Sequence, residues 1–126
     1  MQKKTLKQYG EAKLPKEHIL RLQSDFQQIR DEGNYRGGRL MTIGIYRADD
    51  IGLKIGFITS KRVHKHAVKR NRARRQLKES LRLIKANLDQ NLWMVIIAKS
   101  TILKASTAEV QKELIYLTKK INAFSE

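Results

Sequence analysis

The sequence predicts an α+β domain, a two-layer α/β sandwich with a mainly antiparallel sheet, on three observations. Residues 39–47, RLMTIGIYR, alternate Met41, Ile43 and Ile45 with Thr42, Gly44 and Tyr46, the period of a strand with one buried face. Residues 92–98, LWMVIIA, are a continuous apolar run with β-branched members, as expected of a strand covered on one face and partly on the other. Between them, Ala73, Leu77, Leu81, Ile84 and Leu88 fall in one narrow arc at about 100° per residue, while Asn71, Arg72, Arg75, Lys78 and Arg82 lie across the helix axis. Arg70 and Arg74 sit at the edge of the apolar arc, where their stems can follow the core and their guanidinium groups reach outward.

The elements follow in order. Residues 1–19 are polar and hold the only proline, Pro15; they read as a flexible basic N-terminal arm, with residues 20–126 forming a single domain. Ser24 and Gln27 have the spacing of a capping box and Gly33 supplies a stop, predicting a short helix near residues 25–32 with Phe26 and Ile29 on one side. Ala48-Asp49-Asp50-Ile51-Gly52 is turn chemistry, so the strand at 39–47 and a second at 53–60 are expected to pair as an antiparallel hairpin. Near the end, Ser106 and Glu109 form another candidate capping box. Val110, Leu114, Leu117, Ile121 and Phe124 then repeat at helical spacing, which predicts a last helix covering the sheet.

Charge narrows the function. Residues 61–78, KRVHKHAVKRNRARRQLK, contain nine Lys or Arg and no carboxylate, supplying +9 of a formal net charge of +15. The other 108 residues hold 18 basic and 12 acidic side chains, so the charge is concentrated rather than spread. A polyanion is the matching partner, because each neutralised phosphate releases a condensed counterion. Clustered cations without one repel each other. The 126 residues fit one domain, near the commonest size of about 100–150. The absence of cysteine excludes disulfides and thiolate metal sites and fits a reducing compartment. No secretory signal pattern or apolar run of about 20 residues is present, so no membrane partner is expected.

Independent catalysis is not indicated. His64 and His66 lie within the basic run, where neighbouring charge disfavours their protonated forms, and His18 has no ligand-spaced partner. Asp49 and Asp50 are turn carboxylates, and Gly37-Gly38 lacks the surroundings of a phosphate loop. Arg70-Asn71-Arg72 is more specific: guanidinium forks match phosphate oxygens, and Asn can bridge a base edge or the backbone.

Residues 56–82, GFITSKRVHKHAVKRNRARRQLKESLR, resemble the signature of the bacterial ribonuclease P protein subunit: Gly-Phe, apolar residues, Ser-Lys-basic, then Ala-Val-x-Arg-Asn-Arg-x-basic-Arg. Residues 14–33, LPKEHILRLQSDFQQIRDEG, are similar to that family's opening, and the resemblance runs over residues 14–124. It implies a ribosomal protein S5 domain 2-like fold with a left-handed strand-helix-strand crossover, where ordinary statistics favour the right hand. It also implies a cytoplasmic, non-catalytic subunit of an endonuclease whose RNA subunit, using Mg2+, removes the 5′ leader from precursor tRNA. The protein itself is expected to bind no cofactor.

By position, the resemblance assigns contacts with ribonuclease P RNA to Lys61, Arg62, Lys65, Lys69, Arg70, Asn71, Arg72, Arg74, Arg75 and Lys78. The cleft for the precursor tRNA leader maps onto Phe26, Arg30 and Thr42. Two departures stand out. His64-Lys65-His66 replaces a Gly-Asn pair with one residue more, and Arg30 and Gly44 occupy positions where many relatives carry aromatics. The cleft is therefore expected to rely more on charge and less on stacking. The rival reading is a basic ribosomal or ribosome-assembly protein.

Overall fold

The computed structural model of the chain describes Ile19 and residues 23–125. Helix α1 (Gln23–Glu32) leads into strands β1 (Asn34–Gly37), β2 (Met41–Arg47) and β3 (Lys54–Ile58). Helix α2 (Ala67–Leu81), strand β4 (Leu92–Ala98) and helix α3 (Thr107–Lys120) follow, with short 3-10 turns at Lys85–Asn87 and Ser100–Lys104. Residues 1–18 of the expected arm lie outside the described residues; Ile19 makes a parallel bridge to Ile55.

The four strands form one sheet in the order β1-β2-β4-β3. The hairpin expected between residues 39–47 and 53–60 does not form, because β4 lies between these segments, antiparallel to β2 and parallel to β3. The turn chemistry is present, with Asp50 at φ 62 and Gly52 at φ 76. The loop nonetheless carries the chain across the width of an inserted strand rather than back along β2. The physical reason lies in β4: it is apolar throughout, buried at Leu92, Met94, Ile96 and Ala98 on one face and at Val95 on the other, and a central position gives such a strand a partner on both edges. The hairpin that does form joins β1 to β2, pairing Asn34 with Ile45 through Gly37 with Thr42.

Alternation then sorts the side chains. Met41, Ile43, Ile45, Ile55, Met94 and Ile96 join Ala73, Leu77 and Leu81 of α2 and Val110, Leu114 and Leu117 of α3 in the main core. On the opposite face, Ile29 of α1 is fully buried against Val95, with Phe26, Tyr46, Ile58, Trp93 and Ile97 packed around this smaller cluster. Helix α1 runs from Gln23, so Ser24 lies inside it and is not its cap, and the Gln27 amide donates forward to Asp31. Gly33 does end the helix: its N–H donates to Ile29 O at 2.8 Å, and a Cβ there would stand 2.4 Å from Ile45 O. The apolar arc of α2 outlasts the helix, since Ile84 and Leu88 are buried from the turns that follow Leu81.

The second capping box forms as the spacing predicts. Ser106 Oγ accepts from Glu109 N at 3.1 Å, and Glu109 Oε1 accepts from Ser106 N at 2.8 Å. These bonds, with Arg39 nearby, hold the Glu109 carboxyl below the usual carboxylate range. A depressed folded-state pKa stabilises above the unfolded value, and the contribution disappears as pH falls through the folded one. Ser106→Ala is expected to cost about 1 kcal/mol in urea unfolding at neutral pH; the Ser106 N–H bond to the Glu109 carboxylate is a backbone bond that the variant keeps, so both proteins should lose stability largely in parallel as acid protonates Glu109.

Candidate RNA interface

Helix α2 opens without a capping side chain and without an acidic residue in its first turn. Lys69 and Arg70 instead stand beside the positive end of the helix dipole, an arrangement that an external anion relieves. Ala73, Leu77, Ser80 and Leu81 anchor the buried side. Lys69, Asn71, Arg72, Arg75 and Lys78 are exposed on the others, and Lys61, Arg62 and Lys65 are exposed on the preceding loop. Glu79, the helix's one carboxylate, is paired with Arg82. Among the described residues, no carboxylate lies within ion-pair distance of Lys61, Arg62, Lys65, Lys69, Arg72, Arg75 or Lys78.

Arg70 and Arg74 differ from this group. Arg70 Nη1 donates to His64 O at 3.1 Å and to Lys65 O at 2.8 Å. Arg74 donates through Nε and Nη2 to Thr59 Oγ1, at 3.2 and 2.8 Å. Their guanidinium groups, expected to reach outward, turn back and fasten the 59–65 loop to the helix. Each keeps further N–H donors for an outside partner. This explains how His64-Lys65-His66 closes the loop without glycine. Val63 is buried beneath it and donates its N–H to Ser60 O, Arg70 ties two carbonyls, and His64 Nδ1 accepts from His66 N at 3.0 Å. Desolvation, then His66 and the cations Lys69, Lys65 and Arg70, push the His64 pKa down, which keeps that Nδ1 lone pair available.

The second group of predicted residues lies on the α1 face of the sheet. Phe26 is half-buried in the smaller cluster, so it packs and still borders the surface. Arg30 is exposed and donates to Gln27 Oε1 at 2.8 Å. Thr42 is half-buried on β2, facing the same side as Gly44. Among the described residues one short helix packs on this face, and Tyr46, Ile58, Trp93 and Ile97 there stay half-buried. Tyr35, Tyr46 and Trp93, none singled out from the sequence, share it: Tyr46 and Trp93 have ring centroids 5.9 Å apart, and Lys54 Nζ stands 5.4 Å from the Trp93 ring. Among the described residues, no group of three or more His, Cys, Asp or Glu is placed to hold a metal, and no helix is long and apolar enough to cross a membrane.

Fold and charge together define a small α+β nucleic-acid-binding protein, with a cationic helix on one flank and a partly open sheet face on the other. Comparison with known proteins gives the particular family. The family model described as Ribonuclease P matches residues 14–122. The chain is 33% identical over 111 residues to the ribonuclease P protein component of a Synechococcus strain, covering 85% of this chain and 84% of the relative. It is 30% identical over 113 residues to that of an Exiguobacterium strain, covering 90% and 97%. Among solved structures, the Staphylococcus aureus RNase P protein superimposes with a TM-score of 0.77 at 22% identity, over 86% of this chain and 98% of that one. The Thermotoga maritima RNase P protein gives 0.71 at 21%, over 81% and 96%. The chain belongs to the ribonuclease P protein family. It is thus an RNA-binding protein component of the endoribonuclease that processes tRNA 5′ ends, and the ribosomal alternative is not favoured.

Proposed function

We propose that helix α2 and the 60–66 loop dock this subunit on the catalytic RNA, while the open sheet face beside α1 receives the single-stranded 5′ leader of precursor tRNA. Catalysis belongs to the RNA and its Mg2+, and the protein acts by neutralising phosphates and holding the leader, in the cytoplasm. The observation that carries this reading is the set of seven exposed cations from Lys61 to Lys78 that have no carboxylate partner among the described residues. Such a surface is costly in isolation and favourable against a polyanion. The α1 face supports the second part, since half-buried aromatic and apolar side chains beside cations suit an unpaired strand better than a duplex.

The test is precursor-tRNA cleavage at low magnesium with a bacterial ribonuclease P RNA, with and without this protein, alongside a protein-only control. Stimulation is expected only when RNA and protein are both present, and more strongly for substrates that carry a leader. Cleavage by protein alone would place a nuclease site in the chain, and no stimulation of any RNA type would remove the docking assignment.

A further inference from the structure

Two glycines shape the β1–β2 end of the open sheet face. Gly44 of β2 is the pairing partner of Tyr35 of β1, so the two face the same way. A Cβ at Gly44 would stand 2.6, 2.9 and 3.0 Å from Cε2, Cζ and Cδ2 of the Tyr35 ring. Real Cβ atoms do not approach that closely, so the ring occupies a notch that exists only because residue 44 has no side chain. Tyr35 nevertheless remains 42% exposed. One side of the ring is seated and the rest is open.

The second glycine is Gly37, two residues along β1 on the same face and paired with Thr42. Among the described residues, a Cβ there would meet only Thr42 Oγ1 at 3.6 Å and Lys99 Nζ at 3.9 Å, both at ordinary van der Waals separation. The missing side chain therefore leaves a gap bordered by a hydroxyl and an ammonium group, with Tyr35 two residues back on the same face of the strand. Lys99 Nζ is fixed there by donating to Gly38 O at 2.6 Å, and an ammonium has three donors, so two remain. The Tyr35 hydroxyl keeps its proton at neutral pH, since burial raises its pKa, with Arg30 opposing and Asp31 adding to the rise.

We propose that Tyr35, Gly37, Thr42, Gly44 and Lys99 form a nucleotide seat, in which an unpaired leader base stacks on the Tyr35 ring and an adjoining phosphate meets Lys99. The proposal rests on the reading of this face as the leader's path and adds the place where one nucleotide is gripped. The ring on β1 supplies stacking that position 44 cannot, so the groove is not the mainly ionic surface that Arg30 and Gly44 suggest by themselves.

The experiment uses holoenzyme reconstituted with a bacterial ribonuclease P RNA. It measures affinity for mature tRNA and for precursor tRNA carrying 2-aminopurine at successive leader positions. The parent should bind the precursor more tightly and quench 2-aminopurine at one position. Tyr35→Ala should weaken precursor binding by about tenfold and abolish that quench, while Tyr35→Phe retains both. Gly37→Leu tests the gap independently, because its Cβ fits the fold and its remaining atoms fill the seat; it should weaken the precursor to a similar degree and leave mature tRNA binding alone. Lys99→Ala should lower the salt slope by about 0.7, the single-strand value for one phosphate. If the parent discriminates precursor from mature tRNA but Tyr35→Ala and Gly37→Leu both stay within about twofold of it, the seat is wrong and the leader path stands. If the parent does not discriminate, the leader path fails and the seat with it.

Discussion

Replacing Arg72, Arg75 and Lys78 together by alanine is expected to weaken association with the catalytic RNA by about a hundredfold, taking about 1 kcal/mol for each exposed phosphate interaction. The slope of log affinity against log salt should fall by about two to three units, at about 0.7–0.9 for each phosphate no longer neutralised. The three side chains are exposed and engage no carboxylate among the described residues, so their removal breaks nothing inside the protein. Alanine is the best helix former, and the change also relieves like-charge repulsion, so the melting temperature should hold or rise. That combination separates an interface effect from misfolding. Arg70→Ala should behave differently, because removing its bonds to His64 O and Lys65 O frees the loop as well as deleting a cation. An unchanged salt slope in the triple variant would take this helix face out of the RNA interface.

The contrast between Arg72 and Arg70 marks what could be read from the chain. Charge density and helical phase are local properties, and they identified the cationic face and its buried side correctly. The partners of Arg70 and Arg74 are set by how a loop folds back on the helix, and no spacing in the sequence encodes a Thr59 hydroxyl meeting Arg74. The strands divide along the same line. Alternation in residues 41–47 and the apolar run of 92–98 marked β2 and β4, but the order of strands depends on a parallel pairing of β3 with β4 across the intervening helix. The cue was available in the run itself, since a strand covered on both faces belongs in the middle of a sheet; chain adjacency suggested a hairpin instead. Strand β1 was invisible. Asn34-Tyr35-Arg36-Gly37 is exposed at every position, with no alternation, and it is a strand only because β2 offers it an edge. The notch at Gly44 was hidden for the same reason, since it takes the register of that pairing to place the Tyr35 ring over it.

The largest effect on stability is expected at a residue that the sequence did not distinguish. Glu113, in the middle of α3, sends its carboxylate across to the start of β2, where Oε1 accepts from Arg39 N at 3.0 Å and Oε2 accepts from Leu40 N at 2.7 Å and Met41 N at 3.0 Å. Leu40 and Met41 are wholly buried, so their N–H groups have little access to water once the carboxylate is gone. Gly38 makes room for it, since a Cβ there would stand 2.8 Å from the Glu113 carboxylate. Hydrogen bonds to a charged acceptor contribute more than neutral ones, and an orphaned buried donor costs its full desolvation, so Glu113→Ala should destabilise by about 3 kcal/mol. Against a total of about 5–15 kcal/mol for a domain, that is a large fraction, and the melting temperature should fall by about 10 °C or more. Glu113→Gln keeps one carbonyl acceptor on the same stem and should lose about half as much. Urea unfolding of the three proteins measures both values. A loss below about 0.5 kcal/mol for Glu113→Ala, the range of an ordinary surface substitution, would mean that water satisfies these donors. The functional consequence follows from position: the same turn carries Gly38 O, which holds Lys99, and joins the strands that bear Tyr35 and Thr42. Glu113→Ala should therefore impair the leader-binding face while leaving the exposed cations of α2, on another part of the molecule, able to dock on RNA.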